Sequence, residues 1–102
     1  ISRAPILDTA FTISVNKDTQ PKVLVFSVEK DSRYLLDLKI QGSGVITKVV
    51  ISNDRGEEVY TANAGAMTGN AYIDLEAGQY TVIISYQTDQ ENASVSVNLL
   101  IK

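Results

Sequence analysis

The chain has 102 residues, the length of a single domain, and 44% of them are hydrophobic. Nine Lys and Arg residues against twelve Asp and Glu give a net charge of −3, and no basic cluster offers a surface for nucleic acid. The absence of Cys excludes disulfides and thiol chemistry, and the absence of His excludes imidazole as a base or metal ligand. The chain also has no Trp. No apolar run approaches the roughly 20 residues that span a membrane.

Hydrophobic and polar residues alternate along most of the chain, which is the pattern of half-buried β-strands. The first strand is predicted at Ala10–Val15, and the continuous apolar run of Lys22–Val28 indicates a central strand. Later segments alternate in the same way and are separated by turn-forming residues. They read RYLLDLKI, VITKVVIS, EEVYTA, AYIDL, QYTVIISY and SVSVNLLI.

This series of short strands predicts an all-β fold, an antiparallel immunoglobulin-like or fibronectin-III-like sandwich of seven to eight strands. Only Asp31–Gly42 has competing helical signals, and its alternation favours a strand. Asn53–Gly56 predicts a hairpin with a type I turn and a bulge, and Asn63–Asn70 a longer loop. Residues 1–9 are expected to be an irregular N-terminal lead-in, and residues 10–102 one domain.

The segment "DLEAGQY" predicts a tyrosine corner, a device for crossing between the sheets of a sandwich. Leu75 would fill the core before the crossing, and Gly78 would take a backbone angle that other residues avoid. Tyr80 would bury its ring and return its hydroxyl to a backbone group a few residues upstream. The alternative is a Tyr that simply begins a strand. In either case these residues are structural.

Three resemblances follow from these motifs. Val49–Tyr86, "VVISNDRGEEVY … AYIDLEAGQYTVIISY", resembles small secreted immunoglobulin-like proteins of unknown function from Bacteroidetes-type bacteria. With the final "NLLIK", the chain also resembles type 9 secretion C-terminal sorting domains. "FSVEKDSRYLLDLK" resembles bacterial pre-peptidase C-terminal jelly-roll domains. The residues that carry this last resemblance are Phe26, Val28, Tyr34, Leu36 and Leu38.

The resemblances imply an exported protein of a Gram-negative bacterium, either secreted, periplasmic or at the cell surface. The chain begins at Ile1 and not with Met, which fits removal of an export signal. In the bacterial group of the first resemblance, "DTA" is similar to an O-glycosylation signal with Thr9 as the acceptor. "NAS", at Asn92, would be an N-glycosylation signal only in a eukaryotic secretory pathway.

A candidate ligand site lies around Tyr60 and Tyr72. Both side chains are predicted to point outward, opposite to Val59 and Ile73, on the two strands that bracket the Asn63–Asn70 loop. If those strands pair, the two rings form an exposed aromatic couple on which a sugar could stack. The alternative is a cross-strand pair that only stabilises a sheet.

Catalytic and metal sites have weaker support. Ser14 and Lys17 have the spacing of a nucleophile and its base but lie at a strand end. Carboxylates near two turns could act as the pair of acids of a glycosidase. The loop "TDQEN", together with Asp31 from another loop, could supply oxygen ligands for calcium. Solvated charge is the simpler interpretation of all these acids. The acids near the turns are Asp54, Glu57, Glu58, Asp74 and Glu76, and the loop contains Asp89 and Glu91 together with the amide Asn92.

The sequence therefore predicts a monomeric, exported module that is not an enzyme and needs no cofactor or metal. Its partner would be an unidentified protein or a glycan at the cell envelope, without nucleic acid and without a membrane span. The alternative is an accessory or sorting domain of a larger secreted enzyme. A hydrolase that uses only carboxylates is the third hypothesis.

Overall fold

The computed structural model describes residues 4–102, which form eight antiparallel β-strands and no helix. This part of the chain accordingly has no helix long and apolar enough to cross a membrane. The predicted all-β sandwich is confirmed, and the segment with helical signals is a strand. The strands are β1 (Leu7–Val15), β2 (Lys22–Val28), β3 (Ser32–Gly42), β4 (Ile46–Asn53), β5 (Glu58–Ala64), β6 (Met67–Leu75), β7 (Gly78–Gln87) and β8 (Ala93–Ile101).

The strands form two four-stranded sheets. Sheet I has the order β1-β8-β3-β6, and sheet II has the order β2-β7-β4-β5. Among the eight described strands, only β4 and β5 follow each other within one sheet, so every other connection crosses between sheets. This is the order of a jelly roll, which is built from two Greek keys. Immunoglobulin domains share the sandwich architecture but order their strands differently.

One core lies between the two sheets. The four alternating positions predicted for one face of β3 are all buried, and Leu36 and Leu38 are at most 1% exposed. Val82 and Ile84 of β7 meet them from the opposite sheet and are fully buried. Each such side chain contributes about 1.5–3 kcal/mol when it leaves water. The alternating pattern therefore fixes which face of each strand turns inward.

The N-terminal boundary differs from the prediction. Strand β1 begins at Leu7, so three residues of the expected lead-in are paired with β8, from Leu7 opposite Ile101 to Thr9 opposite Leu99. Residues 4–6 precede the strand, and residues 1–3 of that lead-in lie outside the described residues. The start of the strand was concealed because Asp8 is a polar residue at an outward position and Thr9 is a polar residue at an inward one, which interrupts the alternation.

Strand β2 is an edge strand, and the prediction of a central strand was wrong. It pairs only with β7, and its outward residues Val23 and Val25 are 58% and 62% exposed. A continuous apolar run usually marks a strand buried on both faces. Here only the inward half of the run, which includes Phe26 and Val28, is buried.

The β4–β5 hairpin forms at Asn53–Gly56 as predicted. Asn53 Oδ1 accepts hydrogen bonds from the backbone N–H groups of Arg55 and Glu57 at 3.0 and 2.9 Å. Gly56 has a φ of 79°, in the region that favours glycine. The pairing then shifts by one residue, since Ile51 lies opposite Tyr60 and Ser52 opposite Glu58. Val59 is therefore the extra residue of a β-bulge.

Candidate functional site

The predicted corner lies at the crossing from β6 in sheet I to β7 in sheet II. Leu75 is 2% exposed, and Gly78 has a φ of 145°. The Tyr80 hydroxyl donates a hydrogen bond to the backbone carbonyl of Glu76 at 2.7 Å, and its ring stacks on Phe26 with the centroids 5.3 Å apart. Burial raises the pKa of Tyr80. Tyr80 is only 4% exposed, so the corner serves the fold.

A second corner, absent from the prediction, lies at the crossing from β2 to β3. The Tyr34 hydroxyl donates to the backbone carbonyl of Lys30 at 2.7 Å, with the same four-residue separation as in the first corner. Asp31 joins the two crossings, because its Oδ1 accepts the backbone N–H of Ala77 at 2.8 Å. The available signal was a Tyr at the start of a strand after a turn, "EKDSRY", but no Gly precedes it as in the other corner.

Tyr60 and Tyr72 do not form the expected aromatic couple. Tyr60 lies on β5 at the edge of sheet II, whereas Tyr72 lies on β6 at the edge of sheet I. The predicted loop between them is shorter, since β5 runs to Ala64 and β6 begins at Met67. The two strands are therefore consecutive but belong to different sheets.

The bulge at Val59 explains the orientation of Tyr60. An extra residue reverses the alternation beyond it, so Tyr60 turns towards the core, where it lies opposite Ile51. It is half-buried against the core, and burial raises its pKa. Tyr72 does point outward, with 71% of its surface exposed, beside Leu35 of β3. Only Tyr72 remains available to a ligand.

Tyr72 lies next to a groove that runs across all four strands of sheet I. The groove encloses about 620 Å³, within the range of about 300–1,000 Å³ usual for ligand sites. One row of outward side chains crosses it from edge to edge, because the register places their residues opposite one another. This first row consists of Asp8, Leu100, Asp37 and Asn70.

A second row lies two residues further along each strand. It consists of Ala10, Asn98, Lys39 and Thr68, which also line the groove. The polar side chains of both rows make no hydrogen bond or ion pair with any residue of the range 4–102. The groove therefore combines hydrogen-bonding groups that are free to meet a ligand with the apolar surface of Leu100.

The charged residues near the corners are, by contrast, paired with one another. Arg33 Nε lies 3.1 Å from Asp74 Oδ1, and Arg55 Nε lies 2.8 Å from Glu57 Oε1. Hydrogen bonds from Asn53 and then from Arg55 lower the pKa of Glu57. A glycosidase acid needs the opposite, a raised pKa. The carboxylates suggested for catalysis therefore form surface ion pairs or lie beside them.

The other proposed ligands and acceptors are dispersed. Asp31 binds Ala77 at the corners and does not approach the 88–92 loop, whose neighbour is the β1–β2 loop with Asp18. Within residues 4–102, no three Asp or Glu side chains cluster closely enough to hold a metal ion. Thr9 is half-buried on the inward side of β1, opposite Leu99, and not in an exposed loop.

Sheet II contains a different feature, a pair of buried hydroxyls. Thr47 of β4 is fully buried and lies directly opposite Tyr86 of β7. Neither hydroxyl has a hydrogen-bond partner within the described residues. Burial raises the pKa of Tyr86. Unlike the groove, this pair faces the interior, so it concerns the stability of the core.

No protein-family model and no curated protein sequence matches the chain. Solved structures do match. The pre-peptidase C-terminal domain of a collagenase from Bacillus anthracis has a TM-score of 0.64 and 15% identity, over 91% of this chain and 89% of that chain. A carbohydrate-binding module from Cellvibrio mixtus lichenase 5A, solved with cellotriose, has a TM-score of 0.48 and 10% identity, over 95% of this chain and 88% of that chain.

Identities this low show a shared fold and nothing more. The collagenase domain match supports the fold implied by the pre-peptidase resemblance, which rested on the β2–β3 segment. The resemblances to the Bacteroidetes-type family and to sorting domains stay predictions. The comparisons thus show a β-sandwich domain similar in fold to the pre-peptidase C-terminal domain of a collagenase.

Proposed function

We propose that this chain is a non-catalytic, exported binding module that holds a glycan in the groove of sheet I. The observation that carries the proposal is the groove itself. Four strands bring together unpartnered amide, carboxylate, hydroxyl and amino groups around Leu100, and Tyr72 stands exposed at one side. Ligand sites combine apolar surface with a few convergent polar groups in this way.

The chemistry of the lining suits a sugar. Asn70 and Asn98 each present an amide that both donates and accepts hydrogen bonds, as a sugar hydroxyl does. Asp8 and Asp37 accept hydrogen bonds from hydroxyl groups, and such charge-assisted bonds are the stronger kind. Tyr72 follows Asn70 on the same strand and face, so its ring offers a flat apolar surface next to these groups.

The absence of catalysis is part of the proposal. The chain contains no His, and the carboxylates near the corners are engaged or flanked by arginines, as for Arg55 with Glu57. In the groove, Asp8 and Asp37 lie on strands separated by β8, which places their Cα atoms about 10 Å apart. Asp8 is exposed and Asp37 is only half-buried, so neither carboxylate lies in the apolar pocket that surrounds a catalytic acid.

A second candidate role is that of an accessory domain in a larger secreted enzyme. The similarity in fold to the pre-peptidase C-terminal domain of a collagenase supports it. This role is compatible with glycan binding, since an accessory domain can hold its enzyme on a matrix. Binding of a protein partner and a sorting function are the alternatives. We also propose that the protein is a monomer and that it is located in the periplasm, at the cell surface or outside the cell.

Affinity gel electrophoresis tests glycan binding. We expect laminarin, mannan or hydroxyethylcellulose in the gel to retard the wild-type chain. The double variant Tyr72→Ala/Asn70→Ala should bind about tenfold more weakly, or about 1.4 kcal/mol. The matched control is Val23→Ala/Val25→Ala, two exposed residues on the outer face of sheet II, which should migrate like the wild type.

Two results would overturn the proposal. One is a wild-type chain that no polysaccharide retards. The other is a Tyr72→Ala/Asn70→Ala variant that is retarded as strongly as the wild type. Circular dichroism of each variant establishes that a loss of binding does not come from a loss of fold.

A further inference from the structure

The charge of the groove carries an inference about which glycans it accepts, and this inference rests on the proposed function. Asp8 and Asp37 stand on either side of Leu100 in the first row. Asp8 is exposed at the edge strand β1, and Asp37 is half-buried on β3, which has neighbours on both sides. Neither carboxylate is neutralised by an ion pair with another described residue.

The geometry places any group above Leu100 between two negative charges. Neighbouring strands lie about 4.8 Å apart, so each Asp stands one strand spacing away from the middle of the row. A carboxylate on a sugar at this point would be close to both Asp side chains. Half-burial of Asp37 reduces screening by water, so the repulsion is stronger than between fully solvated charges.

Within residues 4–102, Lys39 is the one cation in the lining. It lies in the second row, two residues from Asp37 on the same face. Its ammonium can offset one of the two carboxylates, so the lining retains a net negative charge. Hydroxyl groups meet no such penalty, because each carboxylate accepts their hydrogen bonds.

We propose that the groove accepts uncharged polysaccharides and rejects polyuronates and other carboxylated glycans. The discrimination is set by Asp8 and Asp37 and not by the overall charge of the protein. Removal of both Asp charges should therefore strengthen the binding of an anionic polysaccharide relative to the binding of a neutral one.

Two matched pairs of polysaccharides provide the test in affinity gels. Hydroxyethylcellulose and carboxymethylcellulose share one backbone, and so do methyl-esterified and de-esterified polygalacturonate. At low salt, we expect the wild type to bind the neutral member of a pair at least about tenfold more tightly. Added salt should narrow this ratio, because it screens charges on the surface.

The variant Asp8→Asn/Asp37→Asn should reduce the ratio of the affinity for the neutral polysaccharide to the affinity for the carboxylated one. The variant Lys39→Gln should increase this ratio. The control Asp18→Asn/Asp89→Asn changes two exposed carboxylates in the distant β1–β2 and β7–β8 loops. It raises the net charge of −3 by the same two units but should leave the ratio unchanged.

The outcomes separate the two levels of the account. If neutral chains bind and carboxylated chains bind equally well or better, the charge selectivity is overturned while the proposed function stands. Equal effects of the groove variant and the loop control would also overturn it, since only net charge would then matter. If neither member of either pair binds the wild type, the selectivity fails. The proposed function fails as well if laminarin and mannan also do not retard the wild type.

Discussion

The outer faces of the two sheets present different chemistry to solvent. Sheet I carries carboxylates, amides and Lys39 along its groove, and their side chains have no partner in the described part of the protein. The outer face of sheet II carries exposed aliphatic residues, with Val23, Val25 and Ile83 between 41% and 62% exposed.

The inner faces of the two sheets are nevertheless alike. Both alternate large aliphatic side chains into one core, as Leu38 does in sheet I and Ile84 in sheet II. The core constrains these inner positions in both sheets alike, so it does not account for the difference between the two outer faces. This is why the groove, and not the corners or the core, is the candidate site.

The largest expected effects test whether the inner faces are equivalent. Leu38→Ala and Ile84→Ala should each lower the free energy of unfolding by about 2–5 kcal/mol, because each leaves a cavity between the sheets. Urea denaturation of the two variants measures this. A cost for one sheet several times smaller than for the other would mean that the sheets do not share one core.

The two corners provide a matched pair across the sheets. Tyr34→Phe at the start of β3 and Tyr80→Phe at the start of β7 each remove one hydrogen bond to a backbone carbonyl. We expect each to lower the free energy of unfolding by about 1–3 kcal/mol. Tyr72→Phe, with an exposed side chain, is the control and should change it by less than about 0.5 kcal/mol. If neither corner variant changes the free energy of unfolding, the two tyrosine hydrogen bonds do not stabilise the fold.

A substitution on the inner face of sheet II is expected to increase the free energy of unfolding instead of lowering it. Thr47→Val replaces a buried hydroxyl that has no partner within the described residues by a methyl group of similar shape. It should raise the free energy of unfolding by about 1 kcal/mol, because the hydroxyl loses its hydration on folding. Thermal denaturation measures this change. A destabilised variant would show that a hydrogen bond of the Thr47 hydroxyl exists in solution.

The smallest effect is expected on the outer face of sheet II. Val25→Thr keeps a β-branched side chain at an exposed position of the edge strand, so stability should change by less than about 0.5 kcal/mol. Retardation by polysaccharides should not change. If this substitution weakens glycan binding, the difference between the two outer faces has been assigned to the wrong sheet.

Local patterns in the sequence were sufficient to locate the strands, although not all of their bounds, and to identify one corner. Alternation identified the buried face of β3, since burial of every second residue leaves a direct trace in the sequence. The corner at Tyr80 was predictable because Gly78 precedes the Tyr, whereas the Tyr34 corner has the same four-residue separation of donor and acceptor but no such Gly. These features depend only on neighbours in sequence.

The groove was not predictable because its rows unite four strands that are distant in sequence. Strand order decides which residues share a face, and consecutive strands such as β5 and β6 lie in different sheets. The bulge at Val59 then reversed the side chain of Tyr60. Alternation alone contains no information on either point, so Tyr60 was assigned to the site and Asp37, Asn70 and Asn98 were overlooked.

Amide chemical shifts of the 15N-labelled protein test the central claim most directly. Oligosaccharides of laminarin, mannan and hydroxyethylcellulose would be added in turn. Binding in the groove predicts shift changes that include Asn70 and Asn98 and are confined to the outer face of sheet I, while Val25 and Ile83 stay unchanged. Changes centred on sheet II, or no change with any of these glycans, would contradict it.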